Sequence, residues 1–159
     1  MKKLLILILI TFLTGCGVFN LGGFVMPDDS EFLAVVESLN TPEKICEYME
    51  ENFIYKIHRF YAPDPYTLWK LGEGDCNDFS TFAVFIADWH GYETYQIFII
   101  FKNTLMGHYL GVFVENEKYN YSSNKEYHPI SVNTFEEIVS DYINKCGKEL
   151  FYFKVVNNE

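Results

Sequence analysis

The chain has 159 residues, a formal charge of −10 at neutral pH and an aromatic share of 18%. An acidic balance of this size excludes nucleic acid, whose phosphates demand a basic face, and argues against docking on anionic lipid headgroups through the folded part. With 49% apolar residues the chain has the material for a packed core, which excludes a disordered protein.

Taken in chain order, Lys2 and Lys3 precede an apolar run of ten residues, Leu4 to Leu13. That is too short for the roughly 20 residues of a spanning helix and has the length of a signal-peptide core. The following Leu13-Thr14-Gly15-Cys16 resembles the lipobox of bacterial lipoproteins: a branched residue and two small ones before the cysteine that takes diacylglycerol. The resemblance implies a leader over 1–15, removed before Cys16, and lipid such as palmitate on Cys16. The chain would then sit at the extracytoplasmic face of a cell membrane, held by acyl chains. The remaining 144 residues carry 10 basic against 22 acidic side chains and suit one domain. Residues 16–29 are Gly-rich and aperiodic and read as a tether, leaving 30–159 as the folded domain.

Within that domain Ser30 to Leu39 places Phe32, Leu33, Val35, Val36 and Leu39 on a helical stripe. Thr41-Pro42 is an N-cap with proline at the first helical position, opening a second helix to about Asn52. Asp64-Pro65 repeats the signal for a short helix through Trp69 that stops near Gly72. From Cys76 to His90 the residues Phe79, Phe82, Ala83, Phe85, Ile86 and Trp89 recur at helical spacing, and Gly91 ends the run, predicting a buried central helix. Glu93 to Phe101 and His108 to Glu115 are β-branched and aromatic, and Asn116-Glu117 turns into Lys118 to Ser123 as a hairpin. Thr134-Phe135-Glu136-Glu137 is a capping box for a last helix ending at Gly147, and Leu150 to Val156 is a closing strand. The layout is α+β.

The chemistry concentrates in Gly74-Asp75-Cys76-Asn77-Asp78-Phe79-Ser80, which places a cysteine at the start of the central helix. Unpaired N–H groups and the macrodipole there favour a thiolate, and the same N–H groups, that of Cys76 among them, can bind an oxyanion. Asp75 and Asp78 fit an N-cap and a first-turn charge. Gly107-His108-Tyr109 lies 32 residues after the cysteine, at the start of a strand that can lie against the helix. His108 is then the candidate base and acid for Cys76. The orienting third group is expected at the end of the neighbouring strand, Lys118 to Asn124.

Gly-Asp-Cys-Asn-Asp-Phe-Ser, then Gly-His-Tyr-Leu-Gly-Val-Phe-Val, then Lys-Tyr-Asn-Tyr-Ser-Ser-Asn resembles the transglutaminase-like superfamily of papain-fold cysteine enzymes. The likeness covers roughly 52–124. It implies a papain/transglutaminase-like core in which N-terminal helices and a Cys-bearing helix pack on an antiparallel sheet, with Cys76 as nucleophile and His108 as base. Relatives usually carry an Asp in the third strand; here the stretch reads Ser122-Ser123-Asn124, so Asn124 or Ser123 would accept from the imidazole. Tyr55 stands where many relatives have an upstream Tyr and is a candidate oxyanion donor.

The resemblance implies a cysteine enzyme acting on amide bonds, as peptidase, amidase or acyl transferase, with a peptide or protein substrate such as cell-wall peptide. No metal or cofactor is expected, since neither Cys-x-x-Cys nor His-x-x-x-His spacing is present. The missing Asp motivates the alternative, a binding or scaffold lipoprotein that kept the fold and lost turnover. Cys46 and Cys146 fall on inward helix faces and form either a disulfide, in a compartment that permits one, or two buried thiols. His58, His90 and His128 read as surface or capping residues.

Overall fold

The computed structural model describes residues 24–57, 63–102, 104 and 107–156. The leader, Cys16 and His58 lie outside the described residues. Among the described residues no helix is long and apolar enough to cross a membrane.

Three helices come first: α1 (Ser30–Ser38), α2 (Pro42–Asn52) and α3 (Pro65–Leu71), with the short strands β1 (Ile54–Tyr55) and β2 (Glu73–Gly74) around the last of them. Each helix starts on a side-chain cap. The N–H groups of Glu31 and Phe32 donate to Asp29, Lys44 N–H donates to Thr41, and Thr67 N–H donates to Asp64. Asp29 also receives the Tyr66 hydroxyl at 2.8 Å and the Lys70 ammonium at 2.9 Å, which ties the start of α1 to α3. Those donors, Lys70 first, hold its carboxyl well below the usual range. Gly72 closes α3 at φ +66°, a conformation that glycine adopts without steric penalty.

Helix α4 (Cys76–Trp89) then runs through the middle of the molecule, buried on nearly every side. Apolar residues all around a helix require cover all around it. Here α1–α3 supply one side, where Phe32, Val36, Ile45, Met49, Phe53 and Leu68 join Phe79, Phe82 and Ile86 in one cluster. The sheet supplies the other.

That sheet is antiparallel, with five strands in the order β6-β5-β4-β3-β7: β3 (Thr94–Phe101), β4 (Gly107–Glu115), β5 (Lys118–Ser123), β6 (Glu126–Val132) and β7 (Leu150–Val156). Alternate residues of β4 face opposite ways. Phe113 belongs to the α4 cluster, while Leu110 and Val112 pack with Ile138 and Val139 of α5 (Phe135–Cys146) in a second cluster on the far face. Gly111 leaves room for the neighbouring strand: a Cβ there would sit 2.7 Å from Ser122 Oγ, whereas Val84 Cγ1 of α4 stands at 3.4 Å, an ordinary contact. The predicted hairpin at Asn116-Glu117 forms with both residues at positive φ, 53° and 63°, as a turn matching the strand twist requires.

Strand β6 and the two short strands are absent from the sequence prediction. Strand β6 contains Pro129, which cannot donate to a ladder and is tolerated because β6 is an edge. Ser131, at φ +54°, irregularises it, and its N–H donates to Asn120 Oδ1 at 2.8 Å. Cys46 and Cys146 are both free thiols here, the second of the two alternatives that the sequence leaves open. They pack in different clusters, Cys46 with the helices and Cys146 with the face under α5.

Candidate active site

Asp75 and Asp78 build the entry to α4 together. Asn77 N–H donates to Asp75 Oδ1 at 3.0 Å, and Asp75 N–H donates to Asp78 Oδ2 at 2.8 Å, a reciprocal capping box. Gly74 makes room for it: a Cβ would stand 2.7 Å from Leu68 Cδ1 and 2.9 Å from Asp78 Cβ. Cys76 is therefore held at the first helical position by contacts that its neighbours make.

The thiol of Cys76 lies by the backbone of β4 at Tyr109, and the N–H groups of Tyr109, Asn77 and Cys76 itself act to lower it. The helix position predicts a thiol shifted toward thiolate, yet the balance runs the other way. Burial pushes the thiol up, the three N–H donors pull it back, and the Asp75 carboxylate pushes it up again. The cap that starts the helix is thus a negative charge beside the sulfur.

Residue 108 precedes that Tyr109 contact. Gly107, just before it, lies under the Phe98 ring, where a Cβ would come within 2.3 Å of Cε2. His108 is 9% exposed and turns to the face that Leu110 and Val112 share. In the β4–β5 register Leu110 pairs with Ser123, so Ser123 stands diagonally across from His108 on the same face. Its hydroxyl lies 3.0 Å from His108 Nε2. Asn124 is one residue later, already in the turn at φ +52°, and its buried Oδ1 has no hydrogen-bond partner. Of the two residues named for the imidazole, the register brings Ser123 to it and carries Asn124 away. Burial drives the His108 imidazole down to about 4, with the Lys148 cation adding to it, so the ring is neutral at neutral pH.

Tyr55, on β1, is 49% exposed, with its ring 6.2 Å from that of Phe79. Its phenol is raised by burial first and then by charge on Cys76, Asp75 and Asp78. One residue not named from the sequence also belongs to the site. Tyr142 of α5 stacks on His108 with ring centroids 5.0 Å apart and planes 7° from parallel, and the Ser123 hydroxyl acts to lower its phenol. Lys125, in the turn after Asn124, donates to Phe53 O at 3.0 Å and pairs with Glu50 at 3.0 Å. The helical spacing of Tyr142 from Ile138 and Val139 marks it as inward-facing, but nothing local links it to His108.

His90 and His128 make their contacts elsewhere. His90 bonds Val36 O at 2.8 Å from the end of α4. His128, 9% exposed, is stacked on Tyr121 and so is not the surface residue expected. It lines a cavity of about 410 Å³ with Ser123, Glu126, Tyr142, Lys145 and Cys146. No group of three metal-ligating side chains is found among the described residues.

No protein-family model and no curated protein matches this sequence. Solved structures do. Calcium-bound Legionella pneumophila LapG aligns with 76% of this chain and 70% of its own at 14% identity and a TM-score of 0.53. A second structure of Legionella pneumophila LapG gives a TM-score of 0.55 at 14% identity over 79% of this chain and 72% of its own. At that identity the likeness is one of fold, the transglutaminase-like α+β arrangement of helices on an antiparallel sheet.

Proposed function

We propose that this chain is a lipid-anchored, extracytoplasmic cysteine enzyme of transglutaminase-like fold that acts on the amide bonds of a peptide or protein. The observation that carries the reading is the diagonal pairing of Ser123 with His108 next to the strand backbone that contacts the Cys76 thiol. Nε2 of His108 is engaged by Ser123, which leaves Nδ1 as the proton acceptor.

The chemistry follows from neutral partners. A raised thiol and a lowered imidazole leave the two groups uncharged at rest. No hydrogen bond joins them among the described residues, so the proton moves from sulfur to Nδ1 once the two come within reach as sulfur attacks the carbonyl carbon. The oxyanion takes N–H donors at the helix start, with the Tyr55 phenol as a further donor. Collapse breaks the C–N bond, His108 returns the proton to the departing amine, and a thioester remains on Cys76. Water, or a second amine, attacks that thioester and releases the acyl group.

Iodoacetamide labelling of the detergent-solubilised full chain, with the modified cysteine identified by peptide mapping, tests this. Cys76 should label with a rate that His108→Ala lowers at least tenfold; a rate indifferent to His108 sinks the proposal. The second reading, a scaffold without turnover, is favoured by one observation: a neutral hydroxyl faces the imidazole where a carboxylate would stabilise imidazolium more strongly. Ser123→Asp separates the two. Amidase activity that appears only in the variant supports the scaffold, and activity already present with Ser123 removes it.

A further inference from the structure

The geometry points to Tyr142 as a positioning residue for His108, which with Ser123 forms a His–Ser–Tyr relay in the place of a carboxylate. This inference rests on the proposed role of His108 and extends it to α5.

Two contacts carry it. The phenol ring lies flat on the imidazole, 5.0 Å between centroids and 7° between planes, so rotation of the imidazole is blocked on that side and water is kept from its face. Tyr142 and Ser123 also line one cavity, where the Ser123 hydroxyl lowers the Tyr142 phenol, and Ser123 Oγ is 3.0 Å from His108 Nε2. A serine hydroxyl has a single proton to donate. When that proton goes to Tyr142, the serine lone pairs face the ring, and only an Nε2–H can complete the bond. In that arrangement Nδ1 is the nitrogen free to take a proton, and a wild-type imidazole protonated at Nδ1 instead overturns the relay. An isolated serine hydroxyl, able to rotate, could donate to Nε2 and select the opposite tautomer.

The seat of α5 is itself fixed. The Tyr121 hydroxyl on β5 donates to Asp141 Oδ2 at 2.7 Å, and Lys145 pairs with the same oxygen at 2.8 Å, one residue before Tyr142 in the chain. Burial raises the Tyr142 phenol to about 12, so it stays protonated in working conditions and acts as a dipole, not as an anion. The charged group that reaches His108 from outside the relay is Lys148.

The test compares wild type, Tyr142→Phe and Tyr142→Leu as the full chain, reading the Cys76 labelling rate against pH and the imidazole ¹⁵N shifts of His108. Tyr142→Phe keeps the stack and loses the hydroxyl, and should slow labelling about fivefold while mixing the tautomers. Tyr142→Leu loses both, slows labelling tenfold or more, and moves the acid limb up toward the ordinary histidine value of about 6.5 as water reaches the ring. Unchanged rate and unchanged Nε2–H tautomer in Tyr142→Phe and in folded Tyr142→Leu overturn the inference; if the leucine variant does not fold, the phenylalanine variant decides alone. A wild type whose Cys76 rate is indifferent to His108 instead overturns the proposed function. The ¹⁵N tautomer assay still decides on Tyr142 in that case.

Discussion

Lys125 Nζ donates to the carbonyl of Phe53 across 3.0 Å, joining the turn that follows Ser123 to the end of α2 and the start of β1. The end of a helix leaves carbonyls without partners, and a lysine side chain here satisfies one and pairs with Glu50 beside it. One ammonium group thus ties the turn after Ser123 to the residue that leads into β1.

Lys125→Met keeps the apolar stem and removes the donor. It should lower the unfolding free energy by about 1–2 kcal/mol and speed amide exchange at Ser123–Glu126 more than in β7. Urea unfolding and hydrogen exchange check this; equal protection in the two regions would show that the turn is held by other contacts.

Gly74→Ala places a methyl 2.7 Å from Leu68 Cδ1 and 2.9 Å from Asp78 Cβ. Asp78 cannot retreat without breaking its bond to Asp75 N–H, so overpacking should cost about 1–3 kcal/mol. Gly107→Ala, with Phe98 Cε2 at 2.3 Å, should cost a similar amount by shifting a ring on β3. Thermal melts measure both, and Gly74→Ala should also change the Cys76 labelling rate because the cap moves with it.

Stability should depend on pH through His108. Its folded value is depressed to about 4, below the ordinary value of about 6.5, so between these limits the unfolded chain binds the extra proton. The contribution is fully present above about 6.5 and lost as pH falls through about 4, up to about 3 kcal/mol in all. Urea titrations at intervals from pH 7 to 4 measure the slope, and His108→Asn should flatten it.

Asp88 sits in the last turn of α4, where the helix dipole disfavours negative charge, and burial raises its carboxyl to about 6. A raised folded value means stability present at low pH and lost as pH rises through about 6. Asp88→Asn should therefore raise the melting temperature at pH 8 and leave it nearly unchanged at pH 4; equal shifts at both would count against a charge effect.

Elements with chemical punctuation at their ends were legible from sequence. Thr41-Pro42, Asp64-Pro65, Gly72, Thr134 with Glu137, and Gly147 are caps whose hydrogen bonds span four residues or fewer, so local sequence contains both partners. Strand β6 escaped because Pro129 and an exposed, polar pattern do not read as strand without knowledge that it is an edge.

The cysteine cap, the strand bearing His108 and the hairpin to Ser123 were all determined by sequence, because spacing and turn chemistry are local. Tertiary structure alone decided the rest. Register chose Ser123 over Asn124, since a one-residue step reverses the face. Packing of α5 brought Tyr142 onto the imidazole. Burial set the signs of the Cys76 and His108 shifts, because solvation depends on everything folded around a group and not on its neighbours in the chain.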